Sequence, residues 1–189
     1  MAIGEDVTER HALQEHLRYQ ARHDPLTELP NRRHLLQQLT AVIAESTDIE
    51  EVGLCCIDLD HFKQVNDKYG HRTGDQVLAA VAHWLRDSLD DDRCLIARIG
   101  GDEFVVMIPP PADNERVTVV ADRLRGAFAR PVIVKHHQLD ISASIGAVVT
   151  PVAGADPEWL LDAADTMLWK AKLEAKGKLD SPHRARSRS

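Results

Sequence analysis

The sequence predicts a single domain of the α/β (α+β) class, and three observations carry that expectation. Short, nearly continuous apolar runs, Val52 to Ile57, Cys94 to Ala97 and Phe104 to Ile108, have the composition of buried strands. Longer segments with apolar residues at three- and four-residue spacing alternate with them, as core-facing helices require. The length, 189 residues, suits one well-cored domain with an appendage and falls short of two.

From Asp6 to His23, Val7, Leu13, Leu17 and Ala21 interleave with polar residues, which suits an amphipathic helix capped by Thr8. So short a helix must bury its stripe against the domain or against a second copy. Pro25 and Pro30 bracket a loop, each removing a backbone donor and discouraging helix in the residue before it. Helix resumes at Asn31, with Leu35, Leu36, Leu39, Val42 and Ile43 as its stripe and Arg32 and Arg33 at its start. The run Val52 to Ile57 ends in Asp58, as expected of a central strand that delivers a carboxylate at its carboxyl end. Helix follows from Asp60 or His61 to Lys68, and again from Thr73 through Leu85, with Gly70 and Gly74 marking the break.

The next two apolar runs read as a hairpin turning at Gly100-Gly101. Paired glycines supply positive φ angles and leave the backbone bare for a ligand, and Asp102 and Glu103 stand at the tip. Pro109 to Pro111 stops the strand, and Asn114 to Ala129 carries another helical stripe. Val132 to Val134 and Leu139 to Val149 read as two strands paired through Lys135 to Gln138. Pro157 starts the last helix, whose apolar face is Trp159, Leu160, Ala163, Ala164, Met167, Leu168 and Ala171. The basic tail from His183 to Ser189 reads as disordered, and there is no internal repeat.

Composition narrows the function. With 43% hydrophobic and 28% charged residues the chain is ordinary for a soluble protein, and no apolar run approaches the roughly 20 residues of a membrane span. No secretory pattern opens it, and its three cysteines lie in apolar segments, so buried thiols in a cytoplasmic protein are expected. A net charge of -7 argues against binding nucleic-acid polymers, whereas a nucleotide can still bind where a divalent cation supplies the positive charge.

Arg98-Ile99-Gly100-Gly101-Asp102-Glu103-Phe104 resembles the GGDEF signature of diguanylate cyclases, bacterial enzymes that condense two GTP into cyclic di-GMP. Asp24-Pro25-Leu26-Thr27 with Leu29-Pro30-Asn31-Arg32, and Asp58-Leu59-Asp60-His61-Phe62-Lys63 through Asn66-Asp67 to Gly70-His71 and Gly74-Asp75, match further motifs in the family's order. The resemblance makes residues 24–178 the catalytic domain, 1–23 a linker helix and 179–189 a tail. It implies a mixed, largely antiparallel central sheet of about five strands flanked by helices, like the nucleotidyl-cyclase and polymerase-palm folds. Val7-Thr8-Glu9-Arg10 with Leu13, Glu15, Leu17 and Gln20 resembles the linker joining PAS sensor domains to such domains. An upstream sensor domain in a longer protein is therefore expected, a short stand-alone form being the alternative.

The resemblance also assigns roles. Asp58, Asp102 and the Leu59 carbonyl would hold magnesium, with manganese as an alternative, since both acids offer hard oxygen ligands. Asp102, or Glu103 beside it, would accept the proton of the attacking hydroxyl, and Lys63 would add positive charge to the transition state. Asp75 can accept from both guanine donors and Asn66 can offer either polarity, with His71 nearby. Phe62 would pack against the base or the core. Lys172 and Lys176 resemble a phosphate-binding pair on the last helix, Lys172 sharing a motif with Asp165, and the helix after Asn31 would help hold the triphosphate. Three positions depart from the pattern: Glu28 stands where glycine is usual, Ala175 where glycine is common and Gly177 where asparagine is common, the last two flanking Lys176.

The expected activity is GTP condensation by a homodimer, because each copy supplies half of a two-nucleotide site. A catalytically weak or inactive GTP-binding regulatory module is the alternative, and an interaction scaffold the third class. Many relatives carry an Arg-x-x-Asp motif that binds product. Its positions here fall on Asp91 and Cys94, with Arg93 two residues displaced, so product inhibition through that site is not expected.

Overall fold

Strand β1 (Glu51–Leu59) is the axis of the domain: residues 52–57 are buried without interruption, as a strand covered on both faces must be. It pairs antiparallel with β3 (Glu103–Ile108) on one side and β6 (Ala143–Pro151) on the other, and β2 (Leu95–Gly100) closes the sheet in the order β2-β3-β1-β6. The structure is a computed structural model that describes the backbone of residues 3–47, 49–89 and 93–179, and the side chains of 10–47, 49–89 and 93–173.

Period-two alternation along β1 and β3 divides the interior in two. Cys55, Ile57, Phe104, Val106 and Ile108 join one core with Val77, Val81 and Leu85 of α4 (His71–Ser88) and Val117, Val120 and Leu124 of α5 (Asn114–Ala127). Leu54, Cys56, Val105 and Met107 join the other, with Leu35 and Leu39 of α2 (Arg32–Glu45) and Leu160, Ala164 and Leu168 of α6 (Pro157–Leu179). Helices thus cover both faces. Burial pushes the thiols of Cys55 and Cys56 up to about 12, so both are inert packing groups.

The main sheet has four strands, all antiparallel. The remaining segments differ from the expected pairing. Val132 to Val134 forms β4, which turns at Lys135, in the left-handed region with φ 54°, and pairs with β5 (His137–Leu139) as a separate two-stranded ribbon. The apolar run from Leu139 to Val149 is broken before Ala143, and its second part becomes β6 beside β1 instead. Gly70 alone separates α3 (Phe62–Tyr69) from α4, with Gly74 inside the second helix. At α6, Trp159 is exposed and Leu161 is buried in its place.

The first helix, α1 (Ile3–Gln20), begins before Thr8, which therefore lies inside it rather than at its cap. Leu13 and Leu17 are exposed, so the domain does not cover them. The segment just after α1 is tied down: Asn31 donates its backbone N–H to the Arg22 carbonyl (2.8 Å) and its side-chain Nδ2 to the Ala21 carbonyl (3.1 Å). Of the tail expected to be disordered, 179–189, Leu179 ends α6 and the rest, with the basic run His183 to Ser189, lies outside the described residues. Among the described residues no helix is long and apolar enough to cross a membrane.

Helix α6 reaches its position because β6 is bare where they cross. A Cβ at Gly146 would sit 2.1 Å from the Leu168 backbone nitrogen. Gly146→Ala must push a helix backbone away, so urea denaturation is expected to show a loss of about 2 kcal/mol. Unchanged stability would mean that the crossing is looser than described.

Candidate active site

The antiparallel pairing of β1 with β3 brings the carboxylates together. Asp58 near the end of β1 stands opposite Glu103 at the start of β3, and the Leu59 N–H donates to the Asp102 carbonyl at 3.3 Å. Three acids from two distant stretches of sequence therefore share one end of the sheet.

Their crowding is electrostatically costly. Burial pushes the Asp102 carboxyl up; its own backbone N–H opposes this, Asp58 reinforces it, and Lys172 and Arg98 oppose it further. Burial also raises Glu103, followed by the charges of Asp58, Asp165 and Asp102, with Lys172 again opposing. The Lys172 Nζ lies 2.8 Å from Asp58 Oδ2. Adjacent carboxylates that repel one another have the hard-oxygen chemistry a small divalent cation prefers, although among the described residues no three acids, histidines or cysteines stand close enough to enclose one by themselves.

The base-reading candidates gather on α3 and α4. Asn66 is half-buried on α3, while His71 and Asp75 are exposed and lie four residues apart, on one face of α4. The bare backbone at Gly74 is what admits Asn66: a Cβ there would meet Asn66 Oδ1 at 1.9 Å and Phe62 Cζ at 3.2 Å. Phe62 is 8% exposed and belongs to the core. Lys63 is exposed on the first turn of α3. The Lys176 side chain lies outside the described residues. Arg32 is ion-paired with Glu158 of α6, while Arg33 is exposed.

Three supporting residues had no assigned role in the sequence. Arg98, 13% exposed at its side chain, donates Nη1 to Asp24 Oδ1 (2.8 Å) and Nε and Nη2 to the Gly101 carbonyl (3.0 and 2.7 Å). Burial raises the Asp24 carboxyl, but hydrogen bonds from Arg98 and Thr27 outweigh it and hold the group low. Asp60, within the motif that carries Asp58, accepts from the hydroxyls of Ser142 (2.8 Å) and Ser144 (2.7 Å), which anchors the loop leading into α3 to β6. Glu28 sits at φ 57° and is exposed, so the glycine usual there has a conformational reason, and the carboxylate points to solvent.

Comparison with known proteins identifies the family. The family described as "Diguanylate cyclase, GGDEF domain" matches residues 21–178. The diguanylate cyclase TpbB of Pseudomonas aeruginosa (strain UCBPP-PA14) is 34% identical over 85% of this chain and 37% of its own length. The cyclic di-GMP phosphodiesterase PdeR of Escherichia coli (strain K12) is 36% identical over 92% of this chain and 26% of its own. Among solved structures, diguanylate cyclase SiaD of Pseudomonas aeruginosa, in complex with its activator SiaC, is 31% identical, with a TM-score of 0.77 over 90% of this chain and 65% of that one. The chain thus spans well under half the length of these curated relatives.

The raised carboxyls carry a stability consequence. At pH values below the ordinary carboxylate range both are protonated in folded and unfolded chains and the crowding costs nothing. As pH rises towards the raised folded values, ionisation is easier in the unfolded chain, so stability falls. Glu103→Gln is therefore expected to raise the melting temperature at about pH 7, with the gain vanishing near pH 3. A variant less stable than the parent at neutral pH would contradict the electrostatic account.

Proposed function

Because the chain belongs to the GGDEF family of diguanylate cyclase domains, we propose that it joins two GTP into cyclic di-GMP with release of pyrophosphate, in bacterial second-messenger signalling. The observation that carries the reading is the convergence of Asp58, Asp102 and Glu103 at one end of the sheet, their charge met by Lys172. In this reaction the 3′-oxygen of one GTP bonds to the α-phosphorus of the other, the bond to the departing pyrophosphate breaks, and a second equivalent step closes the ring.

In this reading Asp58, Asp102 and the Leu59 carbonyl hold magnesium, or manganese in its place. A cation held by these groups would supply positive charge against the phosphates. The hydroxyl proton passes to Asp102 or Glu103, the two carboxylates at the tip of the β2–β3 turn. Lys63 stabilises the charge that develops on the phosphoryl oxygens. Asn66 and Asp75, with His71 beside them, read guanine; adenine would face Asp75 with the wrong donor pattern. Phe62 backs Asn66 from the core, and Lys172 and Lys176 hold the phosphates. The alternative of a GTP-binding regulatory module has the same ligand and differs in turnover.

One domain holds one GTP, so two copies must face each other. The exposed Leu13 and Leu17 of α1 supply an apolar stripe for that pairing, and a sensor domain upstream of α1 would act through it. GTP as substrate agrees with a cytoplasmic location.

Incubation with GTP and magnesium is expected to yield cyclic di-GMP by mass spectrometry, and Asp58→Asn to lower the rate at least about a hundredfold while the fold persists. GTP binding without product would move the chain to the regulatory class. Deleting residues 1–22 should reduce activity per molecule at low protein concentration, because tethering raises the effective concentration of half-sites; equal dilution curves would remove α1 from the assembly. Of the product-binding positions, Asp91 lies outside the described residues, Cys94 is half-buried and the adjacent Arg93 is exposed. Calorimetric titration of cyclic di-GMP is expected to show no tight binding there, and micromolar binding lost in Arg93→Ala would overturn this.

A further inference from the structure

We propose that Lys172 is the resident counter-ion of the carboxylate cluster and makes divalent-cation binding at Asp58 conditional on the arrival of a nucleoside triphosphate. The inference rests on the reading of Asp58 and Asp102 as metal ligands and adds an order of events to it.

The ammonium of Lys172 and the Asp58 carboxylate form a 2.8 Å pair, with the lysine side chain 36% exposed and the aspartate 16%. A cation entering at Asp58 meets an acid already neutralised by a tethered partner. The tether has a structural origin. Helix α6 lies on the bare backbone of β6 at Gly146, against Leu168, and Lys172 follows one helical turn later. Its reach to Asp58 is therefore set by close packing.

Lys172 also bears on the other two acids, acting against the ionisation penalty of both Asp102 and Glu103. The second cation bearing on Asp102 is Arg98, whose guanidinium is held by Asp24 and the Gly101 carbonyl. Among the described residues Lys172 is ion-paired with Asp58 itself. A divalent ion that displaced it without nucleotide would lose the ion pair and leave an ammonium beside a doubly charged cation. Both effects oppose binding. A triphosphate reverses the second, because its oxygens give the displaced ammonium a new partner within the swing of a flexible stem. Metal and nucleotide then bind with positive coupling, and the coupling is reciprocal.

The test separates charge from structure by looking for effects of opposite sign. Nucleotide-free Mn2+ binding is measured by electron paramagnetic resonance on the parent, Lys172→Gln and Lys172→Arg. Binding of 3′-deoxy-GTP, which lacks the attacking hydroxyl and cannot turn over, is measured at saturating magnesium. Lys172→Gln is expected to tighten Mn2+ binding about fivefold or more and to weaken 3′-deoxy-GTP binding by a similar factor, while Lys172→Arg keeps Mn2+ affinity near the parent's. A merely structural lysine would lower both affinities when removed, and that result overturns the proposal, as does equal Mn2+ affinity in parent and Lys172→Gln. Adding Asp58→Asn to Lys172→Gln distinguishes the two levels. Loss of Mn2+ binding there, with parent and Lys172→Gln alike, removes the counter-ion role alone; retention of Mn2+ binding removes the metal-site reading with it.

Discussion

Arg98 is the constraint on which the site depends. Its guanidinium satisfies the Gly101 carbonyl at the tip of the hairpin and the Asp24 carboxylate in the loop after α1, and its backbone N–H donates to the Pro30 carbonyl (2.9 Å). A planar fork with fixed donor directions holds both partners in register, which a point charge on a flexible stem would not. The carboxylate-bearing turn is thereby tied to the entry of α2 and to the segment that leads from α1. Asp24 is itself shaped for the task, its Oδ1 accepting also from the Thr27 N–H (2.9 Å) and hydroxyl (2.8 Å).

Placing three acids at one sheet end opposes folding, and the surrounding structure offsets that opposition in two ways. Packing on both faces of β1 holds the strand ends where they are, so the carboxylates cannot separate without disturbing two cores. Charge is met from outside the sheet by Lys172 on α6, whose position follows from the Gly146 crossing. Stability and the chemistry of the site therefore pull in opposite directions at Asp102 and Glu103, as they do wherever charges are assembled in advance for a ligand.

Much of this was legible in residue pattern. An apolar run ending in Asp58 and a glycine turn opening on Asp102 announced two strand ends, which the structure pairs antiparallel. What pattern could not supply was the partner of each strand. Period-two alternation in Leu139 to Val149 is compatible with pairing to β4 or to β1. The choice is made by tertiary contacts, among them the hydroxyls of Ser142 and Ser144 on Asp60. Trp159 is exposed although its apolar character suggested the buried face, and Leu161, two residues on, is buried with Leu160 instead. Arg98 looked like one residue of a motif, since acceptors 74 residues away and a backbone carbonyl leave no local trace. The resemblance pointed Lys172 towards phosphate. Only the helix crossing shows that it rests on Asp58.

The central claim is that Asp58 and Asp102 form a metal-dependent nucleotide site at the end of this sheet. Crystals grown with Mn2+ and 3′-deoxy-GTP test it most directly, through the anomalous scattering of manganese. The account predicts an anomalous peak at about 2.1–2.2 Å from carboxylate oxygens of Asp58 and Asp102, with triphosphate oxygens completing the shell and guanine between Asn66 and Asp75. Nucleotide bound with manganese coordinated away from both aspartates would contradict it.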